Sequence, residues 1–120
     1  MGAATESASA SASAELYSGG DMTVIGDITV EAIAENTSGS DATADADLYM
    51  QAYEGDVNIA GDILVRSDAT LGAAGTDSAS ASASAEIYGY DVNITGDVTV
   101  TAIAVNNGTE ASDASASAEL

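Results

Sequence analysis

The stretch "GDMTVIGDITV", residues 20–30, returns as "GDVNIAGDILV" at residues 55–65 and as "YDVNITGDVTV" at residues 90–100. Every copy holds two aspartates, and equivalent aspartates lie 35 residues apart in the chain: Asp21, Asp56 and Asp91 in one set, Asp27, Asp62 and Asp97 in the other. A fixed period of this size indicates stacked structural units. We therefore predict a single domain over residues 1–120, with repeats near 5–40, 41–76 and 77–111 and a partial fourth at 112–120.

An alternating segment precedes each aspartate pair and recurs once more after the third pair. Its copies are "SASASASAEL" at 7–16, "ATADADL" at 42–48, "SASASASAEI" at 78–87 and "ASASAEL" at 114–120. Composition alone also fits a disordered Ser/Ala linker. In the second copy, however, the polar positions change to Thr43, Asp45 and Asp47 while the alanines keep their parity. A strand with one solvated face imposes this pattern, so we predict strands with alanine inward.

Two shorter strands are predicted downstream of the alternating segment in each copy. Around Gly26 and Asp27, the apolar residues Val24 and Ile28 share the inward parity, while Thr23 takes the other parity. β-Branched residues prefer a pleated, half-buried surface, and no apolar stripe recurs at helical spacing. At Gly26 and Asp27 the sequence allows either a corner between two strands or a bulge within one strand.

One such unit cannot bury its own apolar face, whereas stacked copies bury it together. Each strand would then pair with its equivalent one repeat later, about 4.8 Å away. The predicted fold is therefore all-β: a parallel β-solenoid, or β-helix, of either handedness, with about three coils of 35 residues and a partial fourth. Length differences are expected at the corners that follow Leu16, Leu48 and Ile87.

The tyrosines directly after these three corner residues are expected to form one outward column: Tyr17, Tyr49 and Tyr88. Stacked rings would cover the corner as a ladder. The alternative for the same column is a platform for carbohydrate.

The chain is strongly acidic, because a single Lys or Arg, Arg66, faces twenty Asp and Glu and gives a net charge of −19. This charge disfavours nucleic acid and anionic membranes as partners. No apolar stretch approaches the roughly 18 residues of a membrane span, so membrane insertion is not expected. The first residues lack signal-peptide features, so the chain is either not exported or a piece of a longer protein. A cysteine-free acidic chain suits an extracellular or cell-surface location.

The Gly-Asp pairs suit corners, because glycine accepts positive φ and aspartate bonds its side chain to nearby amides in a turn. If equivalent aspartates stack about 4.8 Å apart, neighbouring carboxylates repel by about 1 kcal/mol in water-like surroundings. The columns are then either solvated or bridged by cations. Calcium is the candidate cofactor, because it binds carboxylate and carbonyl oxygens in flexible geometry. The candidate metal ligands are Asp21, Asp27, Asp56, Asp62, Asp91 and Asp97.

Enzyme activity is not expected, and no catalytic residue is assigned. Without His, Cys or Lys the chain offers carboxylates and hydroxyls, which suffice for a paired-carboxylate glycosidase. An active site departs from its repeat, however, whereas every aspartate of the paired motif follows it. A repeat-breaking cluster would instead mark a binding module, and the middle copy is the place for one: Met50, Gln51, Tyr53, Arg66 and Asp68.

The segments "GDITVEAIAE" at 26–35 and "DVNITGDVTVTAIA" at 91–104 resemble the repeat regions of large bacterial surface proteins of the filamentous haemagglutinin and autotransporter-passenger type. In those proteins Gly-Asp followed by alternating Val, Ile and Thr recurs in right-handed β-helices. The resemblance implies a structural or adhesive role outside the cell, and it assigns no functional residue.

The expected function is that of an extracellular structural repeat protein, a stiff acidic β-solenoid that serves as a stalk, fibre or matrix component. The alternative is a calcium- or glycan-binding adhesin module that contacts a cell surface. An ice-binding plane ranks third, because the Ser-Ala face lacks a regular threonine array. The expected partner is another copy of the chain, since the sequence stops after a fourth copy of the first strand and shows no cap. Such edges predict a head-to-tail homo-oligomer or fibre.

Overall fold

The computed structural model describes residues 7–37, 41–72, 78–108 and 112–119, with the backbone alone at 112–118. Every regular element in these ranges is a β-strand. The same ranges contain no helix that could cross a membrane. The strands are β1 (Ala8–Ser18), β2 (Met22–Ile25), β3 (Ile28–Asn36), β4 (Ala42–Ala52), β5 (Val57–Ala60), β6 (Ile63–Leu71), β7 (Ala79–Tyr88), β8 (Val92–Ile94), β9 (Val98–Asn106) and β10 (Ser112–Glu119).

The strands form three sheets, and each sheet collects the equivalent strand from successive copies. The first sheet has the order β1-β4-β7-β10, the second β2-β5-β8 and the third β3-β6-β9. All pairings are parallel. The prediction of an all-β chain with parallel pairing between copies is therefore confirmed.

The second and third sheets keep the 35-residue spacing of the sequence throughout. Met22 lies opposite Val57, and Val57 lies opposite Val92. Ile28, Ile63 and Val98 are aligned in the same way in the third sheet. The spacing is constant because a slip by one residue would turn every apolar side chain of a strand to the solvent face.

The first sheet departs from the predicted alignment at the end of β4. Leu48 lies opposite Ala14 and Ala85, whereas Met50 lies opposite Leu16 and Ile87. The expectation that Leu48 ends its strand in line with Leu16 and Ile87 is therefore wrong by two residues. Parity explains the difference, because a shift by two residues keeps every inward side chain inward, and the fully buried Met50 fills the last position of the core.

The core is thin and rich in alanine. Inward alanines of β4 and β7 are 0–5% exposed, and the largest fully buried side chains are Leu48, Met50, Ile59, Ile63, Leu71 and Ile87. Some inward residues of the first and third copies, such as Val24 and Val100, are half-buried against this core. The inward and outward parities predicted for β2, β3, β8 and β9 are confirmed.

A buried serine joins two of the sheets. Ser67 lies on the inward side of β6, aligned with Ala32 and Ala102, and its side chain is fully buried. Its Oγ donates to the carbonyl oxygen of Ala44 in β4 at 3.1 Å. The hydroxyl is thereby satisfied in an otherwise apolar core.

The chain turns a corner at Gly26 and Gly61, which separates the second sheet from the third. β2 ends at Ile25 and β3 begins at Ile28, so a corner replaces the continuous bulged strand. Gly26 has φ +114° and Gly61 has φ +155°, which other residues rarely adopt. A Cβ on Gly61 would lie 2.2 Å from the carbonyl oxygen of Gly26. Glycine is therefore required where one corner stacks directly on the next.

Candidate functional site

The first aspartate of each motif lies at the corner between the first and second sheets, and the three aspartates form a column. The backbone N–H of Asp56 donates to Oδ1 of Asp21 at 3.0 Å. The N–H of Asp91 donates to Oδ1 of Asp56 at 3.2 Å. The carboxylates of Asp21 and Asp56 therefore each accept a hydrogen bond from the equivalent aspartate 35 residues later in the chain.

The second aspartate of each motif repeats this arrangement at the corner between the second and third sheets. The N–H of Asp62 donates to Oδ1 of Asp27 at 2.9 Å, and the N–H of Asp97 donates to Oδ1 of Asp62 at 2.8 Å. In the first and second copies the residue after the aspartate returns a bond, as when Ile28 N–H donates to the carbonyl oxygen of Asp62 at 2.9 Å. Successive aspartates are thus joined in both directions.

We call these two rows of bonds the aspartate ladders: Asp21, Asp56 and Asp91 in one, Asp27, Asp62 and Asp97 in the other. In a parallel sheet each N–H needs an acceptor on the neighbouring strand, and at a corner a backbone carbonyl no longer provides one. The short aspartate side chain provides it instead, and its charge strengthens the bond. The predicted partner, an amide nearby in the same turn, is therefore replaced by the amide of the next copy.

The ladders leave their carboxylates in contact with solvent, because all six aspartates are exposed except Asp56, which is half-buried. The carboxylates line up as predicted, but in the ranges described no three acidic side chains form a group that could hold a metal ion. The calcium site stays a prediction. The bond to an amide gives the carboxylates of Asp21, Asp27, Asp56 and Asp62 a structural role that does not depend on a cation.

A shallow groove of about 320 Å³ runs along the second ladder. Its walls also include outward side chains that are aligned across the third sheet, and the complete lining is Asp27, Thr29, Asp62, Ile63, Leu64, Asp97 and Thr99. A smaller groove of about 110 Å³ lies on the second sheet. There Nδ2 of Asn93 donates to Oδ1 of Asn58 at 3.1 Å, so one side-chain amide bond between the second and third copies accompanies the aspartate ladders.

The repeat-breaking residues of the middle copy do not form one cluster. Met50 is fully buried, and Tyr53 is exposed just beyond β4 of the first sheet. Arg66 and Asp68 lie on the outward side of β6, where Nη2 of Arg66 lies 2.9 Å from Oδ2 of Asp68. A weaker ion pair joins Arg66 to Glu31 at 4.0 Å. These residues are therefore divided between the core and two different sheets, and the middle copy does not bring them together as one cluster.

The tyrosines form a zigzag rather than the predicted straight column. Tyr17 lies opposite Gln51, and Gln51 lies opposite Tyr88, whereas Tyr49 lies opposite Glu15 and Glu86 in the adjacent row. The rings still meet across rows, with centroids 5.5 Å apart for Tyr17 and Tyr49 and 5.7 Å apart for Tyr49 and Tyr88. The shift by two residues in β4 causes the offset.

A fourth ring, which sequence reasoning did not place here, joins these three. The ring of Tyr53 stacks on that of Tyr17, with centroids 6.4 Å apart and planes 16° apart. Tyr53 is the second tyrosine of its corner, but the corner of the third copy also has a second tyrosine, Tyr90, so the sequence alone does not single out Tyr53. We call the four residues the tyrosine strip: Tyr17, Tyr49, Tyr53 and Tyr88.

Carboxylates border the tyrosine strip and affect its phenols. The hydroxyl of Tyr17 donates to Oε2 of Glu15 at 3.4 Å, and that of Tyr88 donates to Oε2 of Glu86 at 3.3 Å. The pKa of Tyr17 lies above the usual 10.0, because neighbouring atoms desolvate the phenol and the charge of Glu15 adds to the effect. Desolvation also raises the pKa of Tyr88, followed by the charges of Glu119 and Glu86.

Comparisons with protein-family models, curated proteins and solved structures give no match to this chain. The resemblance to bacterial surface-protein repeats therefore stays a prediction.

Proposed function

We propose that this chain is an extracellular or cell-surface structural repeat protein, in which the three sheets are the faces of a parallel β-solenoid. Such a solenoid would serve as a stiff, acidic stalk, fibre or matrix component. The observation that supports this proposal most strongly is the pair of aspartate ladders, which join equivalent residues of successive copies at two separate corners. Strands and corners are then fixed in one register along the stacking direction.

The arrangement of the acidic and polar side chains supports a structural role over a catalytic one. The constant period places the paired aspartates in rows, and the ladders use their carboxylates to hold the corners. The outward residues of β1 and β4 are mostly serine, aspartate and glutamate, which keep the surface solvated. Because net charge of one sign keeps a protein soluble and disfavours non-specific association, an acidic surface suits a fibre or matrix exposed to solvent.

Self-association is part of the proposal, and the ladders define how copies would meet. Within the described residues, the N–H groups of Asp21 and Asp27 at one edge have no ladder acceptor. At the other edge, the carboxylates of Asp91 and Asp97 have no ladder donor. A second copy with its β2 against β8 and its β3 against β9 would supply both missing partners. Unpaired edges of this kind are templates for further strands.

The first sheet sets a condition on that contact. β10 already lies against β7, where β1 of the following copy would have to lie. The sequence "ASASAEL" occurs at 10–16 and again at 114–120, so either strand has the side chains that this position requires. Head-to-tail stacking therefore needs one of the two strands to leave its place.

A proline substitution at the edge of β3 tests the assembly. The N–H of Ile28 points to β6, where it bonds the carbonyl oxygen of Asp62, so the N–H of the next residue, Thr29, points to the free edge. Thr29→Pro would block this edge without removing a bond within the chain, since edge strands tolerate proline. Thr29→Val is the matched control. We expect the wild-type chain and Thr29→Val to form rods that lengthen with salt in electron microscopy and light scattering, and Thr29→Pro to stay monomeric.

Two results would contradict the assembly. One is a strictly monomeric wild-type chain at high protein concentration and high salt. The other is Thr29→Pro assembling as readily as Thr29→Val. Far-UV circular dichroism of the monomer checks the β-structure separately.

A further inference from the structure

The tyrosine strip is not required by the solenoid that we propose. Tyr17 and Tyr53 are 55% and 56% exposed, so more than half of each side chain remains available to a partner. Large exposed aromatic side chains are common at binding surfaces, because they combine apolar area with a polar group. The exposed rings therefore offer a binding surface for a ligand that packs on aromatic faces.

The charges around the strip are all of one sign. In the row that contains Tyr49, the neighbours in register are Glu15 on one side and Glu86 on the other, and Glu86 lies opposite Glu119. Like charges directly opposite on neighbouring strands destabilise a sheet. The one cationic side chain of the sequence, Arg66, lies on β6 of the third sheet and is already paired with Asp68. The neutralising charge at the strip must therefore come from outside the chain.

The ring geometry favours a cation over a sugar. A sugar face stacks on a flat aromatic platform. Tyr17 and Tyr53 are nearly parallel, at 16°, but Tyr49, between Tyr17 and Tyr88, is tilted by 45° against the first and by 56° against the second. A cation needs no common plane, because each ring face attracts it separately. Among cationic side chains, arginine fits both parts of the surface, since its planar guanidinium stacks on rings and forms paired hydrogen bonds with carboxylates.

We propose that the tyrosine strip, with Glu15, Glu86 and Glu119 beside it, binds an arginine-rich segment of a partner protein. Guanidinium groups lie on the ring faces of the strip and donate to the neighbouring carboxylates. The strip lies on the outward side of the first sheet, with Glu15 and Tyr17 on β1 and Glu119 on β10. Because head-to-tail stacking displaces one of these two strands, the complete site belongs to the monomer.

The test is the affinity of the full chain for a short capped oligoarginine peptide, measured by calorimetry. A chain of charge −19 attracts any polycation, so the decisive variants leave the charge unchanged. Tyr17→Thr/Tyr49→Thr removes two rings of the strip. Tyr90→Thr is the matched control, because Tyr90 is 74% exposed and belongs to no ring pair among the described residues. We expect about three- to tenfold weaker binding for the double variant and no change for Tyr90→Thr.

Measurements on the wild-type chain keep the proposal testable if the double variant folds poorly. Oligoarginine should shift the ring resonances of Tyr17, Tyr49, Tyr53 and Tyr88 more than that of Tyr90, and oligolysine of equal length should bind more weakly. Equal affinity of wild type and double variant would overturn the proposal and leave simple attraction to a polyanion. Ring shifts caused by a neutral oligosaccharide and not by oligoarginine would overturn it in favour of a glycan site.

Discussion

The backbone N–H of Asp62 donates to Oδ1 of Asp27 at 2.9 Å, although 35 residues separate the two aspartates in the chain. This bond explains the constant period of the Gly-Asp motif. The carboxylate of one copy and the backbone N–H of the next must lie opposite each other at the corner. Moving either aspartate along the sequence would therefore break the hydrogen bond. The motif therefore encodes contact between copies rather than a turn within one copy.

Removing one acceptor from the second ladder tests this explanation. Asp62→Ala leaves the N–H of Asp97 without its side-chain acceptor, and we expect the free energy of unfolding to fall by about 1 kcal/mol, because water replaces the bond only in part. Asp62→Asn keeps an oxygen at the same place and should change stability by less than about 0.5 kcal/mol. Urea denaturation measures both. The exposed Asp45 on β4 provides the control Asp45→Ala, and an equal loss in the control would argue against the ladder.

Two glycines at equivalent corners should respond differently to alanine. Gly26 has φ +114° with open space around it, so Gly26→Ala should cost about 1 kcal/mol of backbone strain. Gly61 has φ +155°, and its new Cβ would also lie 2.2 Å from the carbonyl oxygen of Gly26. We expect a loss of about 3 kcal/mol for Gly61→Ala in thermal or urea unfolding. Equal costs at the two corners would mean that Gly61 does not lie on Gly26.

Calcium binding is tested by comparing cations at constant ionic strength. If calcium bridges the ladders, it should raise the melting temperature more than magnesium or sodium does. Asp56→Asn/Asp62→Asn should abolish the difference. The double variant Asp45→Asn/Asp47→Asn changes the net charge equally outside the ladders and should preserve it. Equal responses to all three cations would identify screening of the acidic surface instead.

Alkaline titration tests the surroundings of the tyrosine strip. The pKa values of Tyr17 and Tyr88 lie above 10.0 in the folded chain. The folded state therefore binds these two phenolic protons more tightly than the unfolded state does. The resulting stability is fully present below pH 10.0 and is lost as the pH rises through the folded values. The absorbance of tyrosinate should show that Tyr17 and Tyr88 ionise above the usual pKa. Glu15→Gln should lower the pKa of Tyr17, but only in part, because the desolvation of its phenol remains. Ionisation of all five tyrosines at the usual pKa would contradict these environments.

The alternating pattern predicted most of the fold, because a strand buried on one side constrains side chains two residues apart. It placed alanine inward in the first sheet and Val or Ile inward in the other two, as the structure has them. It did not predict that Met50, rather than Leu48, lies opposite Leu16. A shift of two residues leaves the inward and outward parity of a strand unchanged. The alignment is therefore decided by the space that an inward side chain must fill in the core, and the alternating pattern gives no information about that space.

The candidate site was predicted in position but not in bonding. The spacing brought the aspartates into two columns, yet local turn chemistry suggested amides of the same corner as their partners. The actual partner of Asp27 is the amide of Asp62, which becomes visible once the register of the two copies is known. The contact between Tyr53 and Tyr17 was not predicted either, because the two tyrosines belong to different copies. The corner after β4 brings their rings together.

In-register parallel stacking is tested most directly by disulfide crosslinking, because the chain has no cysteine of its own. Thr29 lies opposite Leu64, with both side chains on the outward side of the third sheet. Thr29→Cys/Leu64→Cys should close an intramolecular disulfide under mild oxidation, since paired residues lie about 5 Å apart. In Thr29→Cys/Arg66→Cys the second cysteine is also outward but displaced along the strand, about 8 Å away, beyond the usual reach of a disulfide. Rapid closure of the first pair and not of the second is the predicted result, whereas equal crosslinking of both pairs, or of neither, would contradict the stacked register.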